Sequence, residues 1–128
     1  MSHRGSDVNA TLLANTAYAN HRAPTRSERA IEYDAFSRIT SAMKNAETFA
    51  LLADALHRNN QLWTIIATSV VDEDNKLPKD LRARLFYLAK FTFAHSKKVL
   101  RKEAEVDALI ETNLSIMQGL RGNKEAAA

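Results

Sequence analysis

The side chains best suited to chemistry in this chain are four histidines and one short acidic run. The histidines, His3, His21, His57 and His95, are scattered along the chain. Only His57 and His95 lie on predicted helices, and neither has a second histidine at the helical spacing of a metal site. The run Asp72-Glu73-Asp74-Asn75 begins like a calcium loop but lacks the central glycine and the terminal glutamate. The residue spacing therefore predicts no metal site.

Other catalytic groups are equally scarce. The sequence contains no cysteine, which excludes disulfides, thiolate metal sites and cysteine nucleophiles. It also contains no glycine-rich phosphate loop and no nucleophile motif. We therefore expect a protein that is not an enzyme, holds no cofactor and acts by binding another molecule.

Composition favours one small helical domain. The 128 residues are 45% hydrophobic and 26% charged, with two prolines and three glycines, so there are few positions for the turns of an all-β fold. No apolar run approaches the roughly 18 residues of a membrane span, and the N-terminus lacks an apolar segment of signal-peptide type. We expect a cytoplasmic protein without membrane insertion.

Apolar residues at helical spacing predict an all-α bundle of about four helices. The predicted core stripe of helix 3 is Leu81, Leu85, Leu88, Thr92 and Val99, and the core face of helix 4 includes Ile116 and Leu120. The run Pro24-Thr25-Arg26-Ser27-Glu28 predicts the start of helix 1, which extends to about residue 45. Helix 2 begins near Thr48 and ends before the acidic run, and Pro78 opens helix 3. Together these signals place a helical domain at 25–122, between a flexible arm at 1–24 and a flexible tail at 123–128.

The boundaries of the last helix depend on charge and glycine. Glu103–Asp107 is acidic, and acidic side chains are favourable at the positive end of a helix dipole, so helix 4 is predicted to begin there. Gly119 or Gly122 would then end it.

Helices 2 and 3 carry more apolar residues than a single core stripe requires. One interpretation is that both helices are central and contact two neighbours. The other is that part of the surplus lines a groove for an amphipathic helix of a partner. The groove would contain Leu62, Ile66, Phe86, Phe93 and Leu100, with a basic rim of Lys90, Lys97, Lys98, Arg101 and Lys102.

Two asparagines fall on predicted core stripes. Asn60 lies between Leu56 and Trp63 on helix 2, and Asn113 lies between Leu109 and Met117 on helix 4. A buried amide without a hydrogen bond costs about 1–3 kcal/mol. We therefore expect both to be structural polar core residues that fix the register of neighbouring helices.

Basic charge is concentrated in one segment. The net charge is only +3, but Lys79–Lys102 contains eight basic residues and a single acidic one, Asp80. If the chain bound RNA, the part from His95 to Lys102 would contact phosphates, and Tyr87, Phe91 or Phe93 would stack on bases. Because these aromatic spacings fit a helical core equally well, direct RNA binding is not favoured.

Several segments resemble those of the flagellar biosynthesis regulator FlaF of alphaproteobacteria. They are Ala17-Tyr18-Ala19, Asn59-Asn60-Gln61-Leu62-Trp63, the loop-to-helix run from Asn75 to Ala83 and the C-terminal run from Leu109 to Leu120. The resemblance covers about Asn15 to Leu120, and it depends on the order and spacing of the segments together.

The resemblance implies a role in flagellum biogenesis. FlaF-like proteins are thought to bind flagellin in the cytoplasm as secretion chaperones and to promote flagellin production and filament assembly. The expected partner is a terminal amphipathic helix of flagellin; the regulator FlbT and the flagellar type III export apparatus are further candidates. The alternative is a post-transcriptional regulator that acts with FlbT on translation of flagellin mRNA.

Overall fold

The computed structural model describes the backbone of residues 26–127 and the side chains of residues 33–122. This part of the chain forms four helices: α1 (Arg26–Lys44), α2 (Phe49–Val70), α3 (Lys79–Leu100) and α4 (Asp107–Ala127). The predicted all-α bundle is confirmed. The predicted arm at 1–24 and the Thr25 start signal lie outside the described residues. None of the described helices combines the length and the apolar character needed to cross a membrane.

Local side-chain chemistry sets the start of α2 and the end of α3. The Thr48 hydroxyl accepts a hydrogen bond from the Leu51 amide at 3.1 Å, which caps the first turn of α2. At the end of α3, Lys102 has a φ of 62°. The Glu103 amide bonds the Lys98 carbonyl at 2.8 Å and the Lys102 amide bonds that of Val99 at 2.9 Å. These two bonds form a Schellman motif with lysine at the usual glycine position.

The last helix begins within the predicted acidic stretch but does not end where predicted. Its first residue is Asp107, at the end of that stretch, because the amide of Glu103 is used to close the end of α3. It also passes through Gly119 and Gly122 to Ala127. Neither glycine has a positive φ, and an isolated glycine costs a helix only about 1 kcal/mol relative to alanine, which is too little to end it.

Neighbouring helices run antiparallel in an up-and-down bundle. The Arg121 guanidinium donates to the Tyr33 hydroxyl at 2.6 Å and the Asn113 amide donates to the Thr40 hydroxyl at 3.1 Å. The contacting residue numbers decrease along α4 as they increase along α1, so these two helices run antiparallel. Close contacts join α1 to α2, α2 to α3, α3 to α4 and α4 to α1. The helices therefore form a ring in which α4 closes onto α1.

Two apolar clusters fill the bundle. The first cluster contains Ala35, Phe36, Leu62, Trp63, Ala89 and Met117. The second cluster contains Met43, Ala55, Leu56, Val99 and Leu109. In the first, the Phe36 and Trp63 rings meet edge to face with their centroids 5.8 Å apart, an arrangement that aromatic quadrupoles favour.

Candidate functional site

A buried polar layer separates the two apolar clusters. Asn113 is completely buried and accepts a hydrogen bond from the Trp63 indole nitrogen at 2.9 Å. Its amide nitrogen donates to the Asn59 side-chain oxygen at 2.8 Å and to the Thr40 hydroxyl at 3.1 Å. One side chain of α4 is therefore bonded to both α1 and α2.

Asn60 lies at the edge of this layer. It is only half-buried, and its side-chain oxygen accepts a hydrogen bond from the buried Ser96 hydroxyl of α3 at 3.0 Å. Sequence reasoning missed Asn59, which is the completely buried asparagine of α2. The two residues are rotated by about 100° on the helix, and this rotation points Asn59 at α4 and Asn60 at α3. The layer thus ties all four helices together.

The five residues of the predicted groove differ in exposure. Leu62 is only 6% exposed and belongs to the first cluster. Ile66 and Phe93 are half-buried against the same cluster. Phe86 and Leu100 remain 40% and 41% exposed. Of the five, these two have the most exposed side chains.

The five residues also do not share one side of the bundle. Leu62 lies about 160° around α2 from Asn60, which contacts α3, so Leu62 faces away from α3. Phe86 lies about 180° around α3 from His95, whose ring is 2.8 Å from the Glu105 carbonyl just before α4. Phe86 therefore faces away from α4. A single groove containing all five side chains is not formed by the described residues.

The predicted basic rim is exposed, and part of it contacts groups of its own chain. The Lys102 ammonium lies 4.8 Å from the centroid of the Phe49 ring, and that of Lys90 lies 5.9 Å from the Phe86 ring. Arg101 pairs with Glu103 at 3.1 Å. Exposed contacts of these kinds contribute about 1 kcal/mol or less each. These basic residues therefore contribute little to the stability of the fold, and their main effect is a positive charge on the surface of α3 and the residues after it.

The α3–α4 seam is an apolar surface that sequence reasoning assigned to the core. We define it as Leu81, Leu85 and Leu88 of α3 with Ile116 and Leu120 of α4. Leu81 is 37% exposed, and the other four side chains are half-buried against the first cluster. Among the four neighbouring pairs of helices, α3 and α4 make the least contact.

The seam is closed at one end and open at the other. Near the α3–α4 connection, Val99 packs with Leu109 in the second cluster, and Thr92 and Asn113 are completely buried. Towards the start of α3, Leu88 and Leu85 are half-buried and Leu81 is exposed. One sequence signal marks this surface: the nine residues from Thr112 to Leu120 carry no charge, which is unusual for a helix with a solvated face.

No metal-binding cluster is found in the described part of the chain. Between residues 33 and 122, no group of three or more His, Asp or Glu side chains is arranged to hold a metal ion. The Asp72–Asn75 run forms a turn instead, in which the Asp74 amide bonds the Asp72 carboxylate at 2.9 Å.

Comparison with known proteins gives the family. A family model described as "Flagellar protein FlaF" matches residues 14–120. The chain belongs to the FlaF family. The resemblance predicted from the sequence segments is thereby confirmed, and a flagellar role follows from it. No curated protein and no solved structure matches this FlaF-family chain significantly.

The segments that carry the FlaF resemblance have structural roles in the bundle. The runs at 59–63 and 109–120 contain three members of the polar layer, Asn59, Trp63 and Asn113. The run that starts at Asn75 shapes the α2–α3 connection. The buried Asn75 amide donates to the Ser69 carbonyl at 3.0 Å, and its oxygen accepts from the Leu77 amide at 2.9 Å. These FlaF-like segments therefore fix register and turn geometry.

Proposed function

We propose that this FlaF-family chain binds flagellin in the cytoplasm as a secretion chaperone and so promotes flagellin production and filament assembly. It acts by binding and not by catalysis. The observation that carries the proposal is apolar surface that residues 33–122 leave partly uncovered. Scattered exposed apolar residues are normal, but the α3–α4 seam is a contiguous row of half-covered leucines and isoleucine, and such rows mark interaction sites.

The chemistry of flagellin termini supports this partner. They are amphipathic helices that would polymerise if left free. An antiparallel pair of helices with apolar residues between them is a surface on which such a helix lies with its apolar side down. The basic residues of α3 would then favour a partner with acidic groups beside its apolar stripe.

The decisive experiment mixes purified chain with purified flagellin monomer, without FlbT and without RNA, and measures co-elution by size-exclusion chromatography. We expect a complex that survives 0.5 M salt, because apolar contacts are weakly screened. Absence of a complex at every salt concentration would refute the proposal. Parallel runs with FlbT alone and with flagellin mRNA alone test the rival functions of scaffold and translation regulator.

The RNA arm has its own signature. If the exposed lysines of α3 bound mRNA, log Kd would change linearly with log salt with a slope set by the number of phosphates contacted. A steep slope with RNA, together with no flagellin complex, would replace the chaperone proposal by a post-transcriptional one.

A further inference from the structure

The side of α3 that faces away from α4 carries a heptad pattern. Phe86, Phe93 and Leu100 recur every seven residues, and Lys90 and Lys97 follow the two phenylalanines by four residues each. This alternation of four and three residues is that of the a and d positions of a coiled coil. The five side chains lie within an arc of about 80° on α3 and form what we call the heptad strip. All are exposed except Phe93, which is half-buried, so the strip is open to a further helix.

Helix α2 forms the second wall of a groove beside the strip. The Ser96 hydroxyl of α3 donates to the Asn60 side chain of α2 at 3.0 Å, which marks the line where the two helices meet. The apolar members of the strip lie about 40–80° around α3 from this line, on the outer side of the bundle. The residues at the same angle on the outer side of α2 are exposed, and they are Ala50, His57, Thr64 and Thr68.

The α2 wall is low and weakly polar. The hydroxyls of Thr64 and Thr68 donate to carbonyls of their own helix at 2.8 and 2.9 Å, so neither needs a hydrogen bond from a partner. Short side chains allow a further helix to approach the backbone of α2 closely. Because α2 and α3 make the most contact of the four neighbouring pairs, the two walls are held in place before any partner binds.

Charge along the groove has one sign. Lys90 and Lys97 form no ion pair within residues 33–122, the chain has no acidic residue from 83 to 102, and the α2 wall has none. Acidic side chains near the edges are paired, Asp54 with Arg58 at 2.8 Å and Glu103 with Arg101 at 3.1 Å. Those beyond the two ends are Glu47, Asp80 and the run at 72–74. A helix in the groove would therefore meet two lysines, seven residues apart, without a carboxylate beside them.

We propose that the groove between α2 and the heptad strip binds one amphipathic helix of a partner protein. Its apolar residues recur in a heptad pattern and pack against Phe86, Phe93 and Leu100. Its acidic residues lie seven apart, opposite Lys90 and Lys97, since a lysine at such a position is favourable only when an acidic residue faces it. Phe86 lies about 160° around α3 from Leu88 of the seam, so this proposal stands whether or not flagellin binds at the seam.

The charge pattern is tested with two labelled peptides in fluorescence anisotropy. One is a helix of about three heptads with leucine at a and glutamate at d, and the other has lysine in place of each glutamate. We expect the full chain to bind the glutamate peptide at least about tenfold more tightly. Lys90→Glu/Lys97→Glu should reverse this preference. Arg38→Glu/Lys44→Glu makes the same charge change on exposed positions of α1, which makes no contact with α3 in the described structure, and should change neither affinity more than about twofold.

The apolar half of the pattern has its own matched pair. Phe86→Gln should weaken the glutamate peptide about fivefold or more. Tyr87→Gln is the control, because Tyr87 is the next residue and is 68% exposed, but it lies about 100° from Phe86 and outside the groove. It should change binding less than about twofold, and circular dichroism should show that both variants remain helical. Equal effects of the two variants would overturn the groove.

The remaining outcomes separate this groove from other ligands and from the proposed function. No binding of the glutamate peptide at about 100 μM, or tighter binding of an oligouridine of about 20 nucleotides that Phe86→Gln leaves unchanged, would overturn helix docking. A wild-type dimer that Phe86→Gln dissociates in analytical ultracentrifugation would assign the groove to a second copy and overturn the proposal. Peptide binding by a chain that does not bind flagellin would refute the chaperone function and support the groove.

Discussion

Replacing Asn113 by leucine tests the polar layer most directly. Asn113 is completely buried and satisfies the Trp63 indole N–H at 2.9 Å and the Asn59 side-chain oxygen at 2.8 Å. Leucine has the same branched skeleton with bulkier methyl groups, so no cavity forms, but both partner groups lose their hydrogen bond while they remain buried. Each such group costs about 1–3 kcal/mol, and we expect Asn113→Leu to lower the free energy of unfolding by about 2–5 kcal/mol.

The single tryptophan makes the measurement simple. Trp63 is completely buried and bonded to Asn113, so its fluorescence reports both the packing of the first cluster and global unfolding. Urea unfolding followed by this fluorescence and by circular dichroism should give coincident transitions and an unchanged m-value with a lower midpoint.

A double mutant shows whether the cost arises from the network. In Asn59→Leu/Asn113→Leu, both ends of the 2.8 Å bond are removed together, so neither amide group is left buried without its partner. We expect the double mutant to be more stable than the sum of the two single effects predicts, by about 1–2 kcal/mol. A loss below about 0.5 kcal/mol for Asn113→Leu, or strict additivity in the cycle, would refute the network as described.

Four further predictions concern local features, each measured as the free energy of unfolding in urea. Thr48→Ala removes the cap of α2 and should destabilise by about 1 kcal/mol, whereas Thr48→Ser should not. Gly119→Ala adds a methyl group in open space and should stabilise by up to about 1 kcal/mol; a loss would show hidden crowding. Asn75→Ala removes three hydrogen bonds of a buried side chain and should cost about 1–3 kcal/mol. Asp54→Asn breaks the exposed pair with Arg58 and should change stability by less than about 0.5 kcal/mol.

Local signals predicted the helices well where side chains and backbone interact within a few residues. Thr48 and Pro78 mark helix starts because their effects are local. Gly119 and Gly122 misled the prediction of the end of α4. Glycine commonly ends a helix by taking a positive φ, which neither glycine does here. Past Gly119, α4 still contacts the bundle through Leu120 and through the Arg121–Tyr33 hydrogen bond.

The candidate site was less predictable. The surplus of apolar residues on helices 2 and 3 is plain in the sequence, but whether a given side chain is covered depends on the spacing of helices distant in the chain. Leu62 was expected on the surface and is buried, while Leu81 and Leu85 were expected in the core and remain partly uncovered. A period of 3.6 residues gives the face of a helix, but not the distance to its neighbour.

The sequence by itself determined the all-α fold class, the four helices and the family. Helix propensity, capping and the order of the family segments depend on residues that are close together in the chain. Tertiary structure alone decided which asparagine enters the polar layer and where the bundle stays open. Asn59 and Asn60 are adjacent residues of the same type. They differ only in their neighbours, because Asn59 faces α4 and Asn60 faces α3. The seam likewise exists because α3 and α4 make less contact than the other neighbouring pairs, and their relative placement is set by the packing of the whole core.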